Sequence, residues 1–165
     1  MYHCNDQVVY ANYGVCDVTE TETPMSYGPE DRLYYVLVPR RERGGKVYVP
    51  MDKEDLMRPV MSREEAVDLV KSIGSIAPDP FRDNNSRTVE DHFKTKLRGS
   101  DCRTAIEVVI NMRQRIAEQE RKKHLPSSMY TRILDQAQRQ VASELCAALG
   151  IEEPQLQSYI DTHKR

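Results

Sequence analysis

The segment Arg32-Leu33-Tyr34-Tyr35-Val36-Leu37-Val38-Pro39 constrains this chain more than any other. From Leu33 to Val38 its residues are β-branched, aromatic or leucine, so the local preference is strand. Apolar side chains fill both alternating sets, Leu33/Tyr35/Leu37 and Tyr34/Val36/Val38. Neither face of such a strand can be left in water, which predicts a central strand covered on both sides. Arg40 to Gly45 supplies a hairpin loop, and Lys46-Val47-Tyr48-Val49-Pro50 is the returning arm.

Around this hairpin lie three further short extended runs. Gln7 to Ala11 is apolar, Asn12-Tyr13-Gly14 is a turn, and Val15 to about Glu22 is a second strand whose polar outer end reads as an exposed edge. A last piece near Leu56 to Val60 completes five strands in about 60 residues, the pattern of a small five-stranded SH3-like or Tudor-like β-barrel. The sequence changes character at Ser62-Arg63-Glu64-Glu65, a capping box that opens a helix ending near Gly74. Residues 75–85 hold two prolines, two asparagines and two aspartates and form a connector. Helices are then predicted from about Thr88 to Leu97, from Ser100 or Asp101, and after Leu125-Pro126-Ser127-Ser128. In the third, Ala105, Val109, Met112 and Ile116 face inward, and Arg113, Arg115, Glu118 and Glu120 face outward. In the fourth the inner stripe is Tyr130, Leu134, Ala137, Val141, Leu145 and Ala148. Gly150 closes it, and a short helix after Glu152-Glu153-Pro154 ends the chain. The fold class is therefore α+β, with a β domain over residues 1–60 and an all-α domain of about five helices over 61–165.

Charge argues against strong polyanion binding by the whole chain. The formal net charge is −2; residues 1–60 hold 7 Lys/Arg against 10 Asp/Glu and residues 61–165 hold 17 against 16. Any contact with nucleic acid must come from a local basic face in the second part, with modest, salt-sensitive affinity. No apolar stretch approaches 18 residues and the amino terminus has no signal-like pattern, so the expectation is a cytoplasmic protein that neither enters nor crosses a membrane. Cys4, Cys16, Cys102 and Cys146 are far apart and lack metal-site spacing; free thiols, no metal and no cofactor are expected. His92 beside Asp91 and His124 beside Lys123 have no nucleophile context, and Gly44-Gly45 is a turn rather than a phosphate loop, so no enzyme is expected.

Several segments together resemble one family. Val8-Val9-Tyr10, Tyr13-Gly14-Val15-Cys16, Leu33 to Leu37, Val47 to Pro50, Met57 to Glu65, Gly99-Ser100-Asp101 and the Gln138 to Gly150 ending are similar, in order and spacing, to the CarD family of bacterial transcription regulators. The resemblance implies a Tudor-like domain that docks on the β subunit of RNA polymerase, shared with the transcription-repair coupling factor. It also implies a helical domain that contacts promoter DNA at the upstream edge of the bubble and stabilises the open complex, in a monomeric, nucleoid-associated protein. Physically this is a tether: docking raises the effective concentration of a weak DNA-binding surface.

Carried onto this chain, the polymerase contact is the strand Lys46, Val47, Tyr48, Val49 and Pro50, an edge able to pair with a partner strand. Relatives often place a basic residue where this chain has Tyr48, so the resemblance leaves Lys46 or Arg43 to supply that charge, and Tyr48 is either contact or barrel core. Many relatives carry a wedge tryptophan early in the helical domain, and this chain has none. Phe81 is the nearest aromatic, although counting back from Gly99-Ser100-Asp101 places the position near Ser86. Phe81 is either a wedge at a base step or a plug tying the connector to the helices. Around it, Arg82, Arg87, Lys94, Lys96 and Arg98 are the candidate phosphate contacts, with Lys94 and Arg98 spaced to share a helix face. The run Arg121-Lys122-Lys123-His124 is explained by the preference for cations at a helix C-terminus. The rival reading is an adaptor whose helical part binds a second protein.

Overall fold

In the computed structural model, which describes residues 1–26, 32–41, 45–99 and 101–165, the apolar runs of the first third become five strands. These are β1 Gln7–Tyr10, β2 Gly14–Pro24, β3 Leu33–Pro39, β4 Val47–Pro50 and β5 Met57–Pro59. They form one antiparallel sheet in the order β4-β3-β2-β1-β5. A 3₁₀ turn, Ala11–Tyr13, reverses the chain between β1 and β2, and Gly14 leaves it with φ of 68°, a backbone angle that glycine adopts without strain. The register runs from Gln7 opposite Asp17 to Tyr10 opposite Gly14.

β3 is an interior strand between β2 and β4, although the middle place in the order belongs to β2, and its two apolar sets are largely buried. Tyr35 and Leu37 point into a core with Val8, Cys16, Val18, Val49 and Met57, while Tyr34 and Val36 of the other set are also buried. Each large side chain so covered contributes about 1.5–3 kcal/mol by burial. The Tyr35 hydroxyl stays satisfied: it donates to Glu54 at 2.9 Å and accepts from the Tyr2 amide at 3.3 Å. Burial and the neighbouring Glu54 carboxylate push the Tyr35 phenol above its usual pKa.

One expectation about the sheet needs correction. The sheet does not close into a barrel: β4 and β5 lie at its opposite ends, and among the described residues no ladder joins them. These strands have four and three residues and end in Pro50 and Pro59, which cannot donate to a ladder. The 3₁₀ segment Met51–Leu56 runs between them instead. The polar end of β2 pairs with β3 on one side, Thr23 with Tyr34 and Pro24 with Leu33; the ladder with β1 stops at Asp17, so among the described residues its other side is an edge, as its polar sequence suggests. Register shifts between Val18 and Glu20 and between Glu20 and Thr23 bend the strand along its ladder with β3.

The chain divides into two units, Met1–Met61 and Ser62–Arg165. The second opens with α1, Arg63–Ser72, whose capping box is formed: the Glu65 amide donates to Ser62 Oγ and the Ser62 amide to the Glu65 carboxylate. A 3₁₀ turn, Ile73–Ser75, follows. α2, Ser86–Leu97, starts two residues before Thr88 because Asn85 caps it, accepting from the Arg87 amide at 2.9 Å. α3, Cys102–Arg121, is capped by Asp101 through the Thr104 amide; Ser100 lies outside the described residues. α4, Ser128–Leu149, ends at Gly150 with φ of 67°, and α5 is Glu153–His163. The core of this unit joins Val89, Phe93 and Leu97 of α2 to the buried faces of α3 and α4.

The buried stripe of α4 is Ile133, Ala137, Val141, Ala142, Leu145 and Leu149. It is turned by one position from the one expected at its two ends, with Tyr130, Leu134 and Ala148 only half-buried. Leu149 is larger than Ala148 and goes inside in its place, whereas Ile133 and Leu134 are isomers and size does not decide between them. In α3, Arg115 is buried rather than exposed, with 7% of its surface accessible.

Candidate functional site

On β4, side chains alternate. Val49 is fully buried and Val47 packs against the same core, whereas Tyr48, opposite Val36, is 40% exposed. Of the two readings of Tyr48, the structure gives the exposed one. As the terminal strand of the sheet, β4 has a far edge with no strand paired to it among the described residues, so its backbone groups there are available to a partner strand. Lys46 stands beside this edge but is engaged: its Nζ lies 3.1 Å from Glu20 Oε1, and that hydrogen bond raises the ammonium pKa. Arg43 lies outside the described residues.

The helical unit assembles a different site from the connector and the two helices behind it. Asp79 is its centre. Asp79 Oδ2 accepts from Lys96 Nζ at 2.7 Å and lies 2.8 Å from His92 Nε2, while Oδ1 accepts from the Phe81 amide at 2.9 Å. Lys96 continues to Glu107 of α3 at 3.0 Å. Burial alone would raise the Asp79 pKa, but the hydrogen bonds from Lys96, His92 and the Phe81 amide outweigh it and hold the carboxyl well below the usual carboxylate range. Burial likewise opposes the charge on Lys96, and its two carboxylate partners overcome this and raise its pKa.

Phe81 is tied down on both its ring and its backbone. The ring stacks on His92 with centroids 3.9 Å apart and planes 9° from parallel, and His92 meets Phe93 edge-on at 4.9 Å. The Phe81 carbonyl accepts from Arg115 Nη2 at 2.5 Å. The Arg115 guanidinium lies 5.1 Å from the Phe93 ring and 5.8 Å from the Tyr130 ring, so aromatic faces replace a carboxylate as its surroundings. This is the plug geometry: Phe81 fastens the connector to α2 and α3.

The five candidate phosphate contacts are not one patch of equivalent cations. Lys96 belongs to the Asp79 network, and Lys94 is bound to Glu90 at 2.6 Å. Arg98 is the residue after α2, with ψ of 118°, so it leaves the helix and does not continue the Lys94 face. Arg82 is exposed, with its guanidinium donating to the adjacent Phe81 carbonyl at 3.1 Å. Arg87 is exposed in the first turn of α2.

Sequence reasoning missed Asp79, Glu90, Glu107 and Arg115 as partners. Two of the links had a visible signal, since Glu90/Lys94 are four apart on one helix and Arg115 follows Met112 by three along the buried face. The link from Asp79 to Lys96 spans 17 positions and had none. None of the four cysteines is in a disulfide; Cys16 and Cys102 are buried, Cys4 exposed and Cys146 half-buried. No helix among the described residues is long and apolar enough to cross a membrane.

Comparison with known proteins bears on the first of these surfaces. Residues 2–61, the unit that carries the β4 edge, match the family model described as CarD-like/TRCF RID domain. No curated protein matches the chain.

Proposed function

We propose, from the premise that residues 2–61 form a CarD-like/TRCF RID domain, that this chain is a bacterial transcription regulator that binds RNA polymerase. In this reading the β4 edge adds to a strand of the polymerase β subunit, with Tyr48 as the side chain presented beside it. The helical unit contacts promoter DNA beside the bubble and prolongs the open complex. The protein acts as a monomer in the cytoplasm, associated with the nucleoid, and has no catalytic step and no cofactor. The family match over residues 2–61 carries the proposal, and the free, Tyr48-bearing edge of β4 is what makes it mechanical.

The two halves of the mechanism differ in kind. Strand addition needs no net charge, so a unit with more acids than bases can dock. The DNA contact is made effective by that docking, because tethering replaces a second encounter with a local concentration.

One observation favours the adaptor reading of the helical unit: Lys94 and Lys96 spend their charge on Glu90, Asp79 and Glu107. The experiment that tests the proposal also separates the readings. Immobilised full chain should capture bacterial RNA polymerase, and Tyr48→Asp should weaken capture by about tenfold without changing the melting temperature, since a half-exposed edge side chain serves the partner and not the core. Failure of the intact chain to capture polymerase sinks the reading. Capture with no change in open-complex lifetime favours the adaptor.

A further inference from the structure

The cations of the helical unit fall into two populations. Those of α2 and α4 largely have carboxylates: Lys94 with Glu90, Lys96 with Asp79 and Glu107, Arg139 with Asp135 at 2.7 Å. At the turn from α3 to α4 the situation reverses. Arg121, Lys122, Lys123 and His124 are all exposed, and among the described residues none has an ion-pair partner. Residues 121–134 contain no Asp or Glu.

The turn is also held in a defined shape. The Lys123 amide donates to the Glu120 carbonyl at 2.9 Å and the His124 amide to the Gln119 carbonyl at 2.9 Å. These are the paired bonds of a Schellman closure, with Lys123 at the position that glycine usually takes. Its φ is 59°, in the left-handed region that a lysine adopts at a cost. Further along, the Ser127 amide donates to the Gln119 side chain at 2.8 Å and pins the far side. Between these anchors Leu125, one residue beyond the closure, is 91% exposed.

The preference for cations at a helix C-terminus accounts for Arg121, in the last turn of α3. It does not account for a lysine held where glycine would be easier, or for a leucine turned outward beyond it. Three exposed cations without ion-pair partners among the described residues, next in sequence to an exposed leucine and carried on a turn fixed by its own hydrogen bonds, fit a regularly spaced polyanion. A lipid surface would need more than one leucine to hold it.

We propose that the α3–α4 turn is a duplex-DNA contact, in which Arg121, Lys122 and Lys123 lie against phosphates and Leu125 enters the groove between them. This rests on the reading of the helical unit as DNA-contacting and moves that contact away from α2. Cations release condensed counterions from the duplex, and an apolar wedge does not, so the two parts have separable signatures.

The test is fluorescence anisotropy of the full chain on a labelled duplex, without polymerase, over a series of salt concentrations. Arg121→Ala/Lys122→Ala/Lys123→Ala should weaken binding at least about tenfold and lower the log–log salt slope by about 2 to 3. Leu125→Ser should weaken binding several-fold with the slope unchanged. Arg82→Ala/Arg87→Ala/Arg98→Ala should have the smaller effect. All the altered side chains are exposed, and far-UV circular dichroism should be the same throughout. The proposal is overturned if the first triple variant binds the duplex like the parent, or if its loss appears with phosphatidylserine vesicles and not with DNA. Polymerase capture is measured separately, so a chain that fails to capture polymerase yet shows these shifts overturns the docking reading alone.

Discussion

Two lysines show how differently the two units use charge. Lys46, beside the free edge of the sheet, meets Glu20 at 3.1 Å with about half of each side chain in water. Lys96, between α2 and α3, meets Asp79 at 2.7 Å and Glu107 at 3.0 Å, with at most a quarter of each side chain exposed. The distances are similar, but their surroundings are not. Water screens the first pair, so it contributes little to stability; the second is shielded, and its members cannot be separated without leaving a charge poorly solvated. In the first unit this charge pair decorates an exposed surface. In the second it is structural, holding the connector onto the helices, and is thereby withdrawn from solvent.

The largest expected effect follows from the shielded network. Asp79→Asn keeps the shape but removes the charge that Lys96 and His92 share, and should lower the unfolding free energy of the helical unit by about 2 kcal/mol at pH 7. The pH dependence has a definite sign. The folded pKa of Asp79 lies below the unfolded one, so its contribution is fully present above the ordinary aspartate value near 3.9 and is lost as pH falls through the folded value. Urea melts from pH 7 down to pH 3 should therefore bring parent and variant closer together. A gap that stays constant with pH would show that the lost stability does not come from this carboxylate's ionisation.

The smallest effect is expected at the other lysine. Lys46→Ala should leave the melting temperature of the chain unchanged in moderate salt. A clear drop would break the comparison, because it would make the exposed pair structural as well.

The sequence made the strands legible where patterning was strong. β3 is apolar on both alternating sets, so a buried interior strand was the one answer consistent with it, while its place one position from the sheet's end was not legible. The capping box at Ser62 and Glu65 and the glycine at 150 are local signals with local causes, and both are as expected. Closure of the sheet was not legible, because it depends on whether β4 and β5 meet, and short strands ending in proline leave that to the intervening segment. Arg115 was misassigned because an arginine in a helix is ordinarily at the surface. Here a carbonyl from a segment 34 positions away and two aromatic rings make burial tolerable. The α2 cations were judged by their own charge, and what decides their availability is the carboxylates opposite them.

The central claim is that a partner strand from polymerase adds to β4, and amide hydrogen exchange reads it directly. With the full chain in the presence and absence of bacterial RNA polymerase, exchange at Val47, Tyr48 and Val49 should slow by at least about tenfold where outward-facing amides gain strand partners, while amides of α4 stay as they were. Binding that leaves these β4 amides exchanging at the free rate would contradict the account.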